Sequence, residues 1–172
     1  MALMGDRRPS ATGTLPEERS SEFEAFFLEH HESLLRALWL VTRNRHEAEE
    51  ITQDAFLRLL ERWRAVRDPE AYLYRTAMNV FRSRLRRAAV ALRKAAHTIP
   101  VDDQLAEVEA RDAVVRALAP LPARQRAAIV LMDVLGLSSE QAGEALAIRP
   151  VTVRVLAARG RATLREALHE NG

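Results

Sequence analysis

Between Ala71 and Val101 the chain carries seven bases and no acid, and most of the polar side chains there share one stripe. Set on a helix at about 100° per residue, Tyr72, Arg75, Thr76, Asn79, Arg82, Ser83, Arg86 and Arg87 fall on one side. Leu73, Tyr74, Ala77, Met78, Val80, Phe81, Leu85 and Ala88 fall on the other, and only Arg84 fits neither face well. Guanidinium groups grip phosphate, an amide donates and accepts at a base edge, and a phenol ring stacks on an unpaired base. The competing reading is an amphipathic face kept in water. Solvated faces usually mix signs, however, and this one does not.

A second basic run, "RPVTVRVLAARGRATLRE" at 149–166, follows a pattern of apolar residues with helix-turn-helix spacing: Leu131, Leu135, Leu137, Ala142, Leu146, Ile148, Val153 and Leu164. Helical hairpins in general look similar, but the long basic helix after it points to DNA. Val151, Val155, Ala158 and Ala162 are expected near the centre of its outward face. Arg154 and Arg165 flank one side, Thr152 and Arg159 the other, while Val153, Ala157, Gly160 and Leu164 turn to the core. Such a face offers phosphate anchors and apolar contact with thymine methyls, but few donors for reading G or A. A protein partner covering the apolar strip is the alternative.

A third face has the opposite charge. On residues 47–64, Ala55, Phe56, Leu59, Leu60 and Trp63 form an inward arc, whereas Glu50, Gln53, Asp54, Leu57 and Glu61 point outward together. An acidic patch with an exposed Leu repels DNA and suits a basic protein, unless it is simply solvated surface.

Other chemistry has little support. His31-Glu32 begins like a zinc-protease motif, but Leu35 stands where the second His is required. His30, His46, His97 and His169 lack neighbouring ligands, and neither a glycine-rich phosphate loop nor a nucleophile elbow occurs. No metal, cofactor or enzymatic activity is expected. The chain has no cysteine, which excludes disulfides and thiolate metal sites. Neither a signal-peptide core nor a run of about 18 apolar residues is present, so a cytoplasmic protein without membrane insertion is expected.

The elements that position these faces are all helical, since no segment alternates with period two for long enough to argue a strand. Residues 1–20, polar with Gly, Pro and Ser, read as a disordered leader. Ser21 and Glu24 have capping-box spacing and open a first helix carrying Phe23, Phe26, Phe27, Leu34, Leu38 and Val41. After the polar break "TRNRHEA" a second helix covers roughly 47–64. Asp68-Pro69 caps and starts a third, running to about 94. Composition changes abruptly in the segment 95–108, which reads as a linker. Helical pattern then resumes, stops at "APLP", resumes to Gly136, restarts at the Ser138/Gln141 capping box, and ends in the helix that begins at Pro150. The expected architecture is therefore all-α: a leader (1–20), a first helical domain (21–94), a linker (95–108) and a helix-turn-helix domain (109–172). The net charge of +2 hides the contrast between them, because residues 21–70 hold eleven acids and seven bases. Two different partners are implied, one polyanionic and one basic.

In order and spacing these parts resemble a known family. "HEAEEITQDAFLRLLERW" followed by "RDPEAYLYRTAMNVFRSRLRR" resembles region 2 of bacterial sigma factors, and "ALAPLPARQRAAIVLMDVLGLSSEQAGEALAI" with the basic run after it resembles region 4. With these two regions and a short linker, the chain looks like an extracytoplasmic-function (group 4) sigma factor over about 21–168. The resemblance implies a protein that gives core RNA polymerase its promoter choice and helps open the duplex, leaving catalysis to the polymerase. It implies docking of the acidic helix on the β′ coiled coil, with Glu50, Gln53, Asp54 and Phe56 at the positions of a "D-L-x-Q-E-A-F"-like motif, Leu57 beside them, and a further contact with the β flap. It places Asn79 at the characteristic asparagine of the −10 helix, and Arg64 to Asp68 at the loop that captures a flipped base. Where many members carry Asp, this chain has Ser83.

In region 4 the family's "G-T-V-K-S-R-L-x-R-A-R" run corresponds here to "V-T-V-R-V-L-A-A-R-G-R". Thr152, Arg154, Val155, Ala158 and Arg159 then become the −35 contacts, and Arg161 agrees in character as well. Val155, Leu156 and Ala158 replace positions that are commonly polar, and Arg149 stands where a capping Ser is common. The linker acids Asp102, Asp103 and Glu107, with Glu109 directly after them, would thread near the active-site and RNA-exit path. An anti-sigma factor is a further partner of this family, and no appended C-terminal module is expected. The rival readings are a stand-alone helix-turn-helix regulator of duplex DNA, which leaves the acidic helix idle, and a non-DNA adaptor, which leaves the arginine stripe unexplained.

Overall fold

The computed structural model describes residues 17–94 and 113–170, and these form helices joined by short turns. Helix α1 (Glu17–Thr42) starts four residues before Ser21. The Ser21/Glu24 pair therefore lies inside the helix rather than capping it. The rest of the expected leader and the expected linker fall outside the described residues.

Helix α1 stops where Arg43 enters the left-handed region at φ 60°. Asn44 then caps α2 (Arg45–Arg62), its Oδ1 accepting the Glu47 backbone N–H at 2.9 Å. Helix α3 (Pro69–Lys94) begins as expected, with Asp68 Oδ1 accepting the Ala71 N–H at 2.9 Å and Pro69 at the first position. Leu34, Leu38, Val41, Ile51, Leu59, Leu73 and Met78 are fully buried where these three helices meet. Phe23, Phe26 and Phe27 close one end by packing on Phe56 and Trp63, with ring centroids 4.8–6.4 Å apart.

The second bundle contains α4 (Ala113–Leu118), α5 (Ala123–Ile129), α6 (Ser139–Leu146) and α7 (Pro150–Glu170). Helix α5 widens into a π-helical turn over Val130–Val134, closed by the Leu135 N–H donating to Val130 O at 3.0 Å. Gly136, at φ +69°, turns the chain out, and the Ser138/Gln141 capping box forms with both bonds present. Gly143 sits where α6 meets the start of α7. A Cβ there would stand 2.8 Å from the Ile148 carbonyl oxygen, so only glycine permits the close turn. Leu131, Leu137, Ala142, Leu146 and Val153 are buried, with Leu135, Ile148 and Leu164 partly buried beside them. This is the helix-turn-helix core expected from the spacing.

The two bundles pack against each other, a relation that periodicity does not encode. Helix α3 lies against α6, and α1 against α5. At the seam the buried Arg126 donates through Nε to Val41 O at 2.8 Å and through a terminal nitrogen to Leu121 O at 2.9 Å. Its guanidinium thus caps the carbonyl end of α1, where the helix dipole favours positive charge. Burial, and secondarily the neighbouring Arg43, lowers its pKa.

Candidate nucleic-acid interface

Because α3 is held between α2 and α6, its buried positions from Leu73 to Phe81 cover about 200° of the helix at 100° per residue. Thr76 falls at the edge of that arc and is 8% exposed, so it leaves the outward stripe to which periodicity alone assigned it. Tyr72, Arg75, Asn79, Arg82, Ser83 and Arg86 remain in the outward sector, with Arg87 beyond the packed stretch. They organise one another: Arg82 donates to Asn79 Oδ1 at 3.2 Å, the Arg75 guanidinium stands 5.7 Å from the Tyr72 ring, and Arg87 donates to Ser83 O at 3.4 Å. Among the described residues none of the arginines of this face pairs with a carboxylate. No ion pair cancels their charge, and the resulting positive field suits a polyanion.

Arg84, the residue that fitted neither face, reaches back to α2 and binds Glu50 Oε2 at 2.6 Å. That bond holds the Glu50 carboxyl below its ordinary pKa. Glu50 accordingly faces the α2–α3 seam. Asp54 leans the same way, pairing with Arg58 at 3.6 Å and lining a polar recess with Asn79, Ser83 and Arg87.

Gln53 and Leu57 face the other direction. With Glu49 they rim an apolar groove between α1 and α2, whose floor includes Phe23, Phe27, Phe56 and Leu60. Leu57 is 51% exposed and Phe56 only 4%, so Phe56 supports the groove from within. The α1 contribution was missed in the sequence. Its signal was a surplus of aromatic residues, with Phe23, Phe26 and Phe27 offering more apolar face than one inward stripe requires.

Helix α7 presents Val151, Thr152, Arg154, Val155, Ala158 and Arg159 to solvent, while Val153, Ala157 and Gly160 are buried. Its basic character is partly spent within the fold. Arg154 donates to Ser139 Oγ at 2.8 Å and lies 3.6 Å from Glu140. Arg161 makes a two-pronged bond to Asp133 at 2.6 and 2.9 Å, which raises its pKa and removes it from the expected phosphate anchors. The described residues include no cluster of His, Asp and Glu able to hold a metal, and no described helix is long and apolar enough to cross a membrane.

Comparison with known proteins agrees with the two-bundle helical fold. Residues 26–90 match the family "Sigma-70 region 2", and residues 111–164 match "Sigma-70, region 4". The ECF RNA polymerase sigma factor SigM of Mycobacterium tuberculosis is 36% identical over 146 residues, covering 83% of this chain and 74% of the relative. SigE of Mycolicibacterium smegmatis, another ECF sigma factor, is 32% identical over 154 residues, covering 81% of this chain and 59% of that protein. The fold is similar to that of the sigma factor RpoE in complex with the anti-sigma factor NepR from Bartonella quintana, with TM-score 0.68, 21% identity, and coverage of 87% and 98% of the two chains. It is also similar to CnrH in complex with the cytosolic domain of CnrY, with TM-score 0.65, 24% identity, and coverage of 89% and 91%. The chain, with its two helical domains in this order, belongs to the ECF sigma factors of the sigma-70 family, the transcription initiation factors that direct RNA polymerase to promoters.

Proposed function

We propose that the chain serves core RNA polymerase through three separate surfaces. The groove between α1 and α2, rimmed by Glu49, Gln53 and Leu57, docks on the β′ coiled coil. The outward sector of α3, centred on Asn79 with Arg75, Arg82 and Arg86, holds the opened −10 segment. Helix α7 sits on the duplex −35 element, with the second bundle meeting the β flap. The single observation that carries this division is the segregation of charge: the arginine sector of α3 holds no carboxylate pair, and the apolar groove opens on the opposite flank of α2. The chain performs no catalysis of its own in this scheme. It works in the cytoplasm, where core polymerase is found.

The packed bundles cannot reach both elements at once. About 25 base pairs separate them, roughly 85 Å of duplex at 3.4 Å per pair. A compact chain of this length has a radius of gyration of about 16 Å. The bundles therefore separate when polymerase binds, and the 18 residues from 95 to 112 could span up to roughly 60 Å if extended. The similar structures solved in complex with NepR and with the cytosolic domain of CnrY support an anti-sigma factor as a further partner. Weak separate contacts become tight once polymerase tethers both domains.

Run-off transcription with core polymerase tests this reading. Saturating protein should yield promoter-specific transcripts, and their absence overturns it. A stand-alone regulator would instead bind its duplex equally well without polymerase.

A further inference from the structure

We infer that α7 chooses its duplex by the C5-methyl groups of thymine, with Val151, Val155 and Ala158 as the reading side chains. This rests on the proposal that α7 is the −35 helix. The exposed side of its first two and a half turns is apolar at the centre: Val151 is 53% exposed and Val155 44%, and in projection at about 100° per residue Val151 lies between Val155 and the exposed Ala158. None of the three can donate or accept a hydrogen bond. Arg154, flanking one side of the strip, donates to Ser139 and lies 3.6 Å from Glu140, and Arg161 is held by Asp133. Thr152, Arg159 and Arg149 remain exposed along the other flank with no acid pair among the described residues.

The occupant follows from this chemistry. Cationic side chains beside an apolar strip fit a polyanion that carries apolar groups at its surface. In the major groove the thymine methyl is the one apolar group a base pair displays. A valine pressed on guanine O6 and N7 or on cytosine N4 would strip water from a polar group and return no hydrogen bond. The strip therefore selects for thymine by attraction and against G·C pairs by desolvation. Thr152 adds a methyl and a hydroxyl at the border, while Arg159 and Arg149 fix the register on phosphates. Placement at the start of the second helix of a helix-turn-helix unit is where such units meet base edges.

Deoxyuridine tests the idea because it removes the methyl and keeps every hydrogen-bonding group of thymine. Holoenzyme is assembled from the full chain and core polymerase on a promoter whose start site has been mapped. Thymines of the −35 segment are then replaced singly on either strand. Wild-type holoenzyme should lose affinity about fourfold at each position the strip covers. Val155→Ala, a change at an exposed site, should bind less tightly and become insensitive to deoxyuridine at the position Val155 touches. Replacing cytosine by 5-methylcytosine next to the strip should recover affinity in part.

Two outcomes overturn the inference while leaving the −35 role intact. One is a wild-type response that depends on the −35 sequence yet ignores deoxyuridine throughout it. The other is an undiminished deoxyuridine effect in Val155→Ala, which would mean that the methyl acts through DNA shape. Indifference to scrambling of the whole −35 segment would overturn the −35 role as well.

Discussion

Helices α3 and α7 both carry arginine on an exposed face, but their own bundles treat those arginines differently. On the outward sector of α3, Arg75, Arg82 and Arg86 meet a ring, an amide and solvent, and among the described residues none of the three pairs with a carboxylate. On α7, Arg154 and Arg161 are engaged by Glu140 and Asp133, side chains from the elements that form the helix-turn-helix scaffold. The charge available to a phosphate is therefore lower on α7 than its sequence advertises. The difference suits the two substrates proposed for these helices. Unpaired bases leave the backbone exposed and reward a strong uncompensated field with a stacking ring beside it. A duplex held at a second site by a tethered domain needs fewer cations and gains selectivity from its base-facing strip.

The comparison breaks most directly by removing charge from each helix in turn. Arg75→Ala, Arg82→Ala and Arg86→Ala together should cost promoter opening on the order of a hundredfold, taking each exposed contact at the low end of the range, about 1 kcal/mol. The slope of log affinity against log salt should fall by about 2, from about 0.7 for each single-strand phosphate contact. Arg154→Ala with Arg161→Ala should move that slope by less than about 1. Filter binding of holoenzyme across a salt series reads both, and equal changes would dissolve the distinction.

A second prediction concerns the seam that narrows α3. Arg126→Met leaves the Val41 and Leu121 carbonyls without their buried donor, at a cost of about 2–4 kcal/mol in unfolding free energy. Val41 belongs to the first bundle, so the loss should include loosened packing between bundles. Small-angle scattering should show an expanded free protein. An unchanged profile with unchanged stability would mean that Arg126 does not hold the bundles together.

Much of this layout could be read from the chain, and the exceptions have physical causes. Caps are local chemistry, so the Asp68-Pro69 start of α3 and the Ser138/Gln141 box before α6 were legible from a few residues. The helix-turn-helix core was legible because Leu131, Leu137, Ala142 and Val153 stand at the spacing that a helix, a turn and a second helix require. Thr76 was misassigned because one helix packed on two sides buries a wider arc than a hydrophobic stripe indicates. Glu50 and Arg84 lie 34 positions apart, and Arg161 and Asp133 lie 28 apart. No helical period relates such pairs, so the sequence showed their charges but not their mutual cancellation. The groove between α1 and α2 escaped for the same reason, being a property of two helices at once.

A third test sharpens the account of α7. Asp133→Asn releases Arg161 from its two-pronged bond. Both side chains are more than a third exposed, so the stability cost should be small, about 0.5–1 kcal/mol. Freed guanidinium should add about one phosphate contact, steepening the salt slope by up to about 0.9 and raising nonspecific duplex affinity. A variant that loses stability without gaining DNA affinity would mean that Arg161 points away from the duplex even when released.

The smallest effect is expected at Glu50, and it tests whether α2 restrains the charge of α3. Glu50→Gln removes the carboxylate that holds Arg84, leaving that guanidinium free to join its neighbours on α3. Glu50 has its pKa lowered by this bond, so the unfolded chain binds its proton more readily than the folded one does. The pair's contribution to stability is thus present above the ordinary carboxylate value of 4.5 and fades as pH falls through the lower folded value. Wild type should exceed Glu50→Gln by a constant small margin in melting temperature from pH 8 down to about 5, and the two curves should converge in more acid solution. Over the neutral range the variant should bind single-stranded DNA slightly more tightly, with a salt slope steeper by up to about 0.7. Tighter DNA binding together with undiminished affinity for core polymerase would fix Glu50 as a restraint on α3, whereas weakened core binding would return it to the polymerase-facing surface.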